Sequence, residues 1–136
     1  MTPILLDTCA LIWLGNHDPL SAAAESSLLE AGATEGAIAV SPISAWEIGQ
    51  LVARGRLALT LAPTAWFQAA LAGGIALAPM PPEVLVASSF LPSVALRDPA
   101  DRIIAATARH YRYRLMTRDR PLLAFGEEGH VETIAC

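Results

Sequence analysis

The clearest structural signal in the chain lies in residues 97–108, which read Arg97-Asp98-Pro99-Ala100-Asp101-Arg102-Ile103-Ile104-Ala105-Ala106-Thr107-Ala108. Asp98 is a favourable N-cap residue, and Pro99 follows it at a position where helices tolerate proline. Asp101 could close an arrangement like a capping box. The apolar residues that follow predict a half-buried helix from Pro99 to about Tyr113. Two carboxylates therefore stand at the start of this helix, and on local grounds capping explains both.

Short apolar segments alternate with helical segments along the rest of the chain. The predicted strands are Pro3–Leu6, Ala37–Val40, Ile75–Ala78, Arg114–Thr117 and Val131–Ala135. The predicted helices cover residues 9–14, 22–29, 45–54, 63–72, a segment from 82 that ends before 92, the helix from 99, and a short helix after 121. Strands that alternate with helices predict an α/β fold with a mainly parallel central sheet covered on both faces. The length of 136 residues suits one domain comprising residues 1–136.

The charged residues exclude some classes of protein. All nine cationic residues are arginine, so families that need a catalytic lysine are excluded. The formal net charge of −4 argues against a broad platform for polyanions. Cys9 lies in an apolar run and Cys136 is the last residue, a spacing that suggests neither a disulfide framework nor a zinc site. We therefore expect a reduced, cytoplasmic setting.

Two apolar segments raise the question of a membrane. The first apolar run lacks a preceding basic region and is interrupted by Asp7, so we do not expect a signal peptide. The segment Leu57–Pro82 carries no charge, but prolines and the pair Gly73-Gly74 divide it. We interpret it as a helix followed by a buried strand and expect no membrane span.

Five acidic residues could meet at one edge of the sheet. Asp7 and Asp119 each follow a predicted strand, and Asp98 and Asp101 lie at a helix start, which in a wound α/β fold belongs to the same edge. Helix capping remains an alternative for Asp7 and Asp119. Glu47 differs, because it lies inside a helix with no other charge from residue 43 to 52. Its side chain either faces solvent or is held by a cation.

Carboxylates gathered in one cleft repel each other unless protons or metal ions neutralise them. Sites made only of carboxylate oxygens suit Mg²⁺ or Mn²⁺ better than Zn²⁺. A site with four acids could hold one or two ions, lower the pKa of a water molecule and stabilise in-line attack on a phosphodiester. This chemistry is that of a nuclease.

Four motifs, in order along the chain, resemble those of the PIN-domain ribonucleases, specifically the VapC-type toxins of bacterial toxin–antitoxin pairs. They are Leu5-Leu6-Asp7-Thr8, Ile43-Ser44-Ala45-Trp46-Glu47-Ile48, the segment from Asp98 to Ala108, and Met116-Thr117-Arg118-Asp119. Each motif is short, but together they span nearly the whole chain. The resemblance implies a three-layer α/β/α fold and cleavage of RNA that depends on Mg²⁺ or Mn²⁺, with one or two ions.

The resemblance also assigns residues and partners. The four acids that it makes catalytic and metal-binding are Asp7, Glu47, Asp101 and Asp119. Thr117 and Thr8 match hydroxyl positions that support the acids. Asp98 is also usual in this group, and we expect it mainly to cap the helix while Asp101 turns to the metal. A homodimer and a small VapB-type antitoxin that covers the cleft, commonly with an inserted arginine, are the implied partners.

Arginines and tryptophans near the motifs have two interpretations each. The possible contacts to RNA phosphates are Arg97, Arg102, Arg118 and Arg120. Arg102 is equally able to pair with a neighbouring acid. Trp13, Trp46 and Trp66 could stack on bases, but large aromatic side chains beside apolar neighbours are more often core or interface.

Two other functions compete with the nuclease. One is a non-catalytic RNA- or protein-binding module with a degenerate nuclease fold, which the presence of all four acids argues against. The other is a phosphoryl-transfer domain with an aspartyl nucleophile at Asp7. Such families pair the nucleophile with a lysine, and this chain has none.

Overall fold

The computed structural model describes residues 2–136, and within them the chain forms five strands and seven helices around one sheet. The strands are β1 (Ile4–Leu6), β2 (Ile38–Val40), β3 (Ala76–Leu77), β4 (Arg114–Thr117) and β5 (Glu132–Ala135). Their order across the sheet is β3-β2-β1-β4-β5, and every neighbouring pair is parallel. All five strands therefore end at the same edge of the sheet, which we call the carboxyl edge.

The helices connect these strands. They are α1 (Thr8–Gly15), α2 (Ala22–Ala31), α3 (Pro42–Ala53), α4 (Pro63–Ala72), α5 (Pro82–Ser88), α6 (Pro99–Tyr111) and α7 (Arg120–Glu127). Only one or two residues separate the ends of β1, β2 and β4 from the starts of α1, α3 and α7. The starts of these three helices therefore lie at the carboxyl edge.

The core has two parts, one on each face of the sheet, because successive side chains of a strand point to opposite faces. Ile4 and Leu6 of β1 belong to the same buried cluster as Ile48 of α3 and Phe67 of α4. Leu5 of β1 lies in the other cluster, with buried residues from α6 and α7. The central strand β1 is fully buried on both faces, which is the pattern expected of a parallel sheet with helices on both sides.

Three of the helices that begin near the carboxyl edge are capped by aspartates. Asp7, Asp98 and Asp119 are the N-caps of α1, α6 and α7, and each side chain accepts a hydrogen bond from a backbone N–H in the first turn. The capping interpretation is therefore correct for each of these three acids. It does not exclude a second role, because a carboxylate has lone pairs to spare after one such bond.

The predicted elements are all present, with small differences in their ends. Helix α3 begins at Pro42 rather than at residue 45, because the Ser41 side chain caps it. Helix α6 ends at Tyr111 rather than near residue 113, because Arg112 adopts a left-handed conformation with φ of 58°. Within residues 2–136, no helix has the length and apolar character needed to cross a membrane.

Candidate active site

Asp7 and Asp119 are joined through the hydroxyl of Thr117 at the end of β4. Thr117 Oγ1 donates a 2.5 Å hydrogen bond to Asp7 Oδ2 and accepts a 3.0 Å hydrogen bond from the backbone N–H of Asp119. The other oxygen of Asp7, Oδ1, accepts from the N–H of Ala10 at 2.7 Å. Asp7 is buried, with 4% of its surface exposed. Its carboxylate is therefore held at both oxygens.

Glu47 is held by Thr8, the residue that follows Asp7 in the chain. The Thr8 hydroxyl donates to Glu47 Oε1, and it lies 2.9 Å from the hydroxyl of Ser44. Thr8 and Ser44 are buried, and Glu47 is half-buried. A hydrogen-bonded chain thus connects the start of α1 to one turn of α3, and it orients the Glu47 carboxylate toward the carboxyl edge.

Asp98 and Asp101 lie at the start of α6. Asp98 Oδ2 accepts a 2.9 Å hydrogen bond from the backbone N–H of Asp101, so the expectation that Asp98 begins the helix agrees with the geometry. Asp98 is exposed and Asp101 is half-buried. The two side chains reach the same cleft as Glu47.

The structure brings three acids into one group that could hold a cation. One carboxylate oxygen each from Glu47, Asp98 and Asp101 lies within 4.8 Å of the others. This grouping differs from the four acids expected from the motifs, because Asp98 belongs to it as well as capping α6. Asp7 and Asp119 form the second group, through Thr117. The sequence could not separate these groups, since the division depends on how far each side chain reaches.

The two groups influence each other electrostatically. Burial is the larger cause that raises the pKa of Asp101 to about 8, and the neighbouring charges of Asp98, Asp119, Glu47 and Asp7 contribute to the same shift. Burial also raises the pKa of Glu47, although the hydrogen bond from Thr8 opposes the shift. Mutual repulsion among the acids is relieved by protons or by a cation.

The donor set fits a hard divalent cation. The group of Glu47, Asp98 and Asp101 offers only carboxylate oxygens, which are the ligands that Mg²⁺ and Mn²⁺ prefer. The Cys9 thiol lies within reach of these charges, and burial together with the charges of Asp7, Glu47 and other acids raises its pKa to about 11. It remains a neutral thiol near neutral pH, so it does not convert the cluster into a site for a thiolate-binding metal.

Arg102 makes contacts that its predicted role did not anticipate. Its Nε donates to the carbonyl of Ser88 at 2.7 Å, and its Nη1 donates to the carbonyls of Ser93 at 3.2 Å and Leu96 at 2.5 Å. The guanidinium is partly buried among these backbone atoms. In this arrangement Arg102 pairs with no neighbouring acid and does not face outward toward a phosphate. Its hydrogen bonds instead stabilise the segment between α5 and α6.

The other three predicted phosphate contacts lie closer to solvent. Arg118 stacks 3.8 Å above the ring of Trp13, and its Nη2 donates to the backbone oxygen of Cys136 at 2.6 Å. Arg118 and Arg120 line one cavity beside α7. Arg97 is exposed beside Asp98. These three arginines flank the carboxyl edge, and Arg118 is close enough to Asp7 to lower its pKa against the larger effect of burial.

Sequence reasoning missed Ser44 as a residue of the site. Ser44 is fully buried and contacts the hydroxyl that holds Glu47. A signal was present in the spacing, because Ser44 precedes Glu47 by three residues and residues three apart share one face of a helix. The polar character of that face indicates a hydrogen-bonded position rather than a solvent-exposed one.

Comparisons with known proteins agree with this architecture. Residues 4–127 match the PIN domain family. Ribonuclease VapC22 of Mycobacterium tuberculosis is 36% identical over 123 residues, which cover 90% of this chain and 91% of that protein. The structure of VapBC2 from Rickettsia felis, bound to a DNA fragment from its promoter, has a TM-score of 0.69 at 14% identity and covers 97% of this chain and 98% of that chain. A toxin–antitoxin complex from Klebsiella pneumoniae has a TM-score of 0.60 at 22% identity and covers 94% of each chain. The predicted α/β fold is thereby confirmed.

Proposed function

Because the chain belongs to the PIN-domain family, we propose that it is a metal-dependent endoribonuclease toxin that hydrolyses RNA phosphodiester bonds and is inhibited by a VapB-type antitoxin. The ribonuclease named VapC22, which is 36% identical, supports the activity. The single observation that carries the proposal is the meeting of Glu47, Asp98 and Asp101 within 4.8 Å at the carboxyl edge, beside Asp7.

We assign the metal and catalytic roles to the acids of both groups. Asp7, Glu47, Asp101 and Asp119 are the proposed metal ligands, and Asp98 joins them with its remaining lone pairs. The proposed cofactor is Mg²⁺ or Mn²⁺, as one or two ions. When bound, such an ion makes a water molecule more nucleophilic at neutral pH and stabilises the charge that develops on the phosphate.

The chain's own residues prepare this site by holding carboxylates in place. Thr117 and Ala10 fix both oxygens of Asp7, and Thr8 fixes Glu47, so little reorientation is needed when the cation and substrate arrive. The same contacts disfavour Asp7 as a covalent nucleophile. A carboxylate that is 4% exposed and hydrogen-bonded at both oxygens is held too deep to attack a phosphoryl group in line, although each oxygen keeps a lone pair for a cation.

The proposed partners follow from the family. We propose that the free toxin is a homodimer, that residues 1–136 form a single PIN domain, and that the protein acts in the cytoplasm. The antitoxin would cover the carboxyl edge, where an inserted arginine could neutralise the clustered acids. Light scattering of the purified chain, with and without its antitoxin, measures both assemblies.

Cleavage of RNA tests the central proposal. Purified protein free of antitoxin is incubated with total RNA in Mg²⁺ or Mn²⁺, and cleavage sites are mapped by sequencing the new ends. We expect cleavage that EDTA abolishes and that Asp7→Asn and Asp101→Asn reduce by at least a hundredfold. Glu30→Gln is a matched control, because Glu30 is an exposed acid on α2. Intact RNA with the unmodified protein favours a non-catalytic module. Cleavage by the two Asn variants that equals that of the unmodified protein assigns the activity to a contaminating nuclease and also overturns the proposal.

A further inference from the structure

A small cavity adjoins the acidic group along α3. Its volume is about 180 Å³, and it is lined by Trp46, Glu47, Gln50, Leu51, Arg54, Arg56 and Asp98. Glu47 and Asp98 belong both to this cavity and to the group that could hold a cation. The cavity is therefore continuous with the proposed site of cleavage.

Trp46 is exposed in a way that the other two tryptophans are not. Its exposed fraction is 58%, whereas Trp66 is 7% exposed and Trp13 is partly covered by Arg118. A large aromatic side chain left in water has apolar surface available for a partner. Since Trp46 precedes Glu47 directly, that surface lies beside the carboxylates.

Two arginines on the same wall have no partner among residues 2–136. Arg54 is the C-cap residue of α3, and Arg56 follows it after one glycine; both arginines are exposed. Neither guanidinium makes a hydrogen bond or an ion pair with any of the described residues, in contrast to Arg102 and Arg118. They supply positive charge to a cleft that is otherwise acidic.

An aromatic ring, free guanidinium groups and a side-chain amide are the groups that bind single-stranded nucleic acid. Bases of any sequence stack on an exposed aromatic ring, and arginines bind the phosphates that join them. Trp46, Gln50 and Arg54 are spaced four residues apart, so they form one row on the helix surface. The row begins at the acidic group and leads away from it.

We propose that the cavity lined by Trp46, Gln50, Arg54 and Arg56 is a subsite for single-stranded RNA, in which Trp46 stacks on a base next to the scissile phosphate and the arginines bind the adjoining phosphates. The subsite rests on the proposed nuclease function and extends it. It explains why cations outside the recognised motifs stand beside the carboxylates. It also implies that the substrate enters as an unpaired strand, because the stacking surface reaches only a base that is free of the duplex.

Binding without cleavage tests the subsite directly. A short single-stranded RNA of mixed sequence with a fluorescein label is titrated in EDTA, and its integrity is checked on a gel. The anisotropy of the label reports the affinity of every variant, and tryptophan fluorescence is followed in the unmodified protein. We expect RNA to quench the emission of Trp46, and Trp46→Ala to weaken binding about 5- to 150-fold, which corresponds to the energy of base–aromatic stacking. Trp46→Phe should retain most of the affinity, because it keeps an aromatic face.

The contribution of Arg54 and Arg56 is measured by the salt dependence of RNA binding rather than by stacking. Arg54→Gln and Arg56→Gln should each reduce the slope of log affinity against log salt by about 0.7, the value for one phosphate contact on a single strand. Arg109→Gln is the matched control, since Arg109 is exposed in the last turn of α6. We expect it to change neither affinity nor slope. If Trp46→Ala does not fold, the two arginine variants and Trp46→Phe carry the test.

The outcomes separate the subsite from the nuclease itself. If the unmodified protein cleaves RNA and Trp46→Ala binds and cleaves equally well, the subsite is wrong and the nuclease stands. If the unmodified protein binds RNA through Trp46 but never cleaves it, the nuclease is wrong. If Trp46→Ala lowers the mass in sedimentation from two chains to one with unchanged RNA affinity, Trp46 contacts a second copy instead, and the subsite is rejected.

Discussion

Thr117 donates a 2.5 Å hydrogen bond from its buried hydroxyl to Oδ2 of the buried Asp7. The same hydroxyl accepts the backbone N–H of Asp119, so one atom positions two acids of the site. Replacing Thr117 with Val keeps the shape and removes both bonds. We expect the free energy of unfolding, measured in urea, to fall by about 1–3 kcal/mol, because buried polar groups lose their partners. RNA cleavage should fall with it.

Two variants show whether the hydroxyl or the methyl group of Thr117 matters. Thr117→Ser keeps the hydroxyl and should retain most cleavage activity. Thr107→Val makes the same change at another buried threonine, whose hydroxyl bonds only to the Ile103 carbonyl inside α6. It should leave cleavage unchanged. Full activity in Thr117→Val would contradict the positioning role.

Arg102 should behave as a structural residue rather than a phosphate contact. Three carbonyl contacts join it to Ser88, Ser93 and Leu96, and hydrogen bonds from a charged group contribute more than neutral ones. We expect Arg102→Ala to lower the free energy of unfolding by about 2–4 kcal/mol. Hydrogen exchange should show faster opening of residues 89–97, because these three contacts hold the segment that leads to Asp98.

The affinity for RNA separates the two interpretations of Arg102. Arg102→Lys keeps the charge but lacks the planar fork that reaches several carbonyls, so it should be nearly as destabilising as Arg102→Ala. Neither variant should change the salt dependence of RNA binding by the folded protein. A reduced salt slope with unchanged stability would assign Arg102 to phosphate after all.

The raised pKa of Asp101 makes the metal-free protein sensitive to pH. The folded chain holds this proton up to about pH 8, whereas the unfolded chain releases it near the ordinary value of 3.8. Since the folded state binds more protons between these values, the free energy of unfolding should fall as the pH rises from about 4 to 8. Asp101→Asn should remove this loss, with a gain on the order of 1 kcal/mol at pH 8 and none at pH 4.

Thermal unfolding in EDTA across this pH range measures the effect of Asp101. In saturating Mn²⁺ the unmodified protein should become more stable than Asp101→Asn, because the ion binds the native acids and stabilises only a folded state that retains them. Glu30→Gln, at an exposed acid of α2, should follow the unmodified protein throughout. An Asp101→Asn variant whose stability has the same pH dependence as the unmodified protein would show that other groups dominate.

The sequence predicted the position of the acids better than their partners. The pattern of elements predicts that Asp7 and Asp119 lie at one edge, because the carboxyl ends of the strands of a parallel sheet coincide. The grouping of Asp98 with Glu47 depends on side-chain reach across two helices, which no local pattern encodes. The Ser41-Pro42 pair signals the true start of α3, because serine is a favourable N-cap and proline a favourable first helical residue, so the predicted start at Ala45 is three residues too late.

Arginine roles were the least predictable feature. Arg102 follows Asp101 in its motif, and Arg118 precedes Asp119. Arg102 nevertheless binds three carbonyls inside the protein, whereas Arg118 stacks on Trp13. Arg54 and Arg56 lie outside the motifs, yet both line the cavity that adjoins the acidic group. A long side chain near a carboxylate in sequence can be turned toward any of several acceptors, and only the packing of the loops decides among them.

Gly49 is the one glycine in the interior of α3, the helix that carries Trp46 and Glu47. Apart from its chain neighbours and the backbone of α3, no atom of residues 2–136 lies within 4 Å of where a Cβ at Gly49 would be. Alanine should therefore fit and raise the free energy of unfolding by about 0.5–1 kcal/mol through its helix propensity. Thermal melts measure this gain, and cleavage should be unchanged because the Glu47 contacts are untouched. Gly126→Ala is the contrasting variant in α7, where a Cβ would lie 2.5 Å from Cγ2 of Thr133, and it should destabilise the protein. If Gly49→Ala were also destabilising, this face of α3 would have to pack against a second chain rather than border an open cleft for RNA.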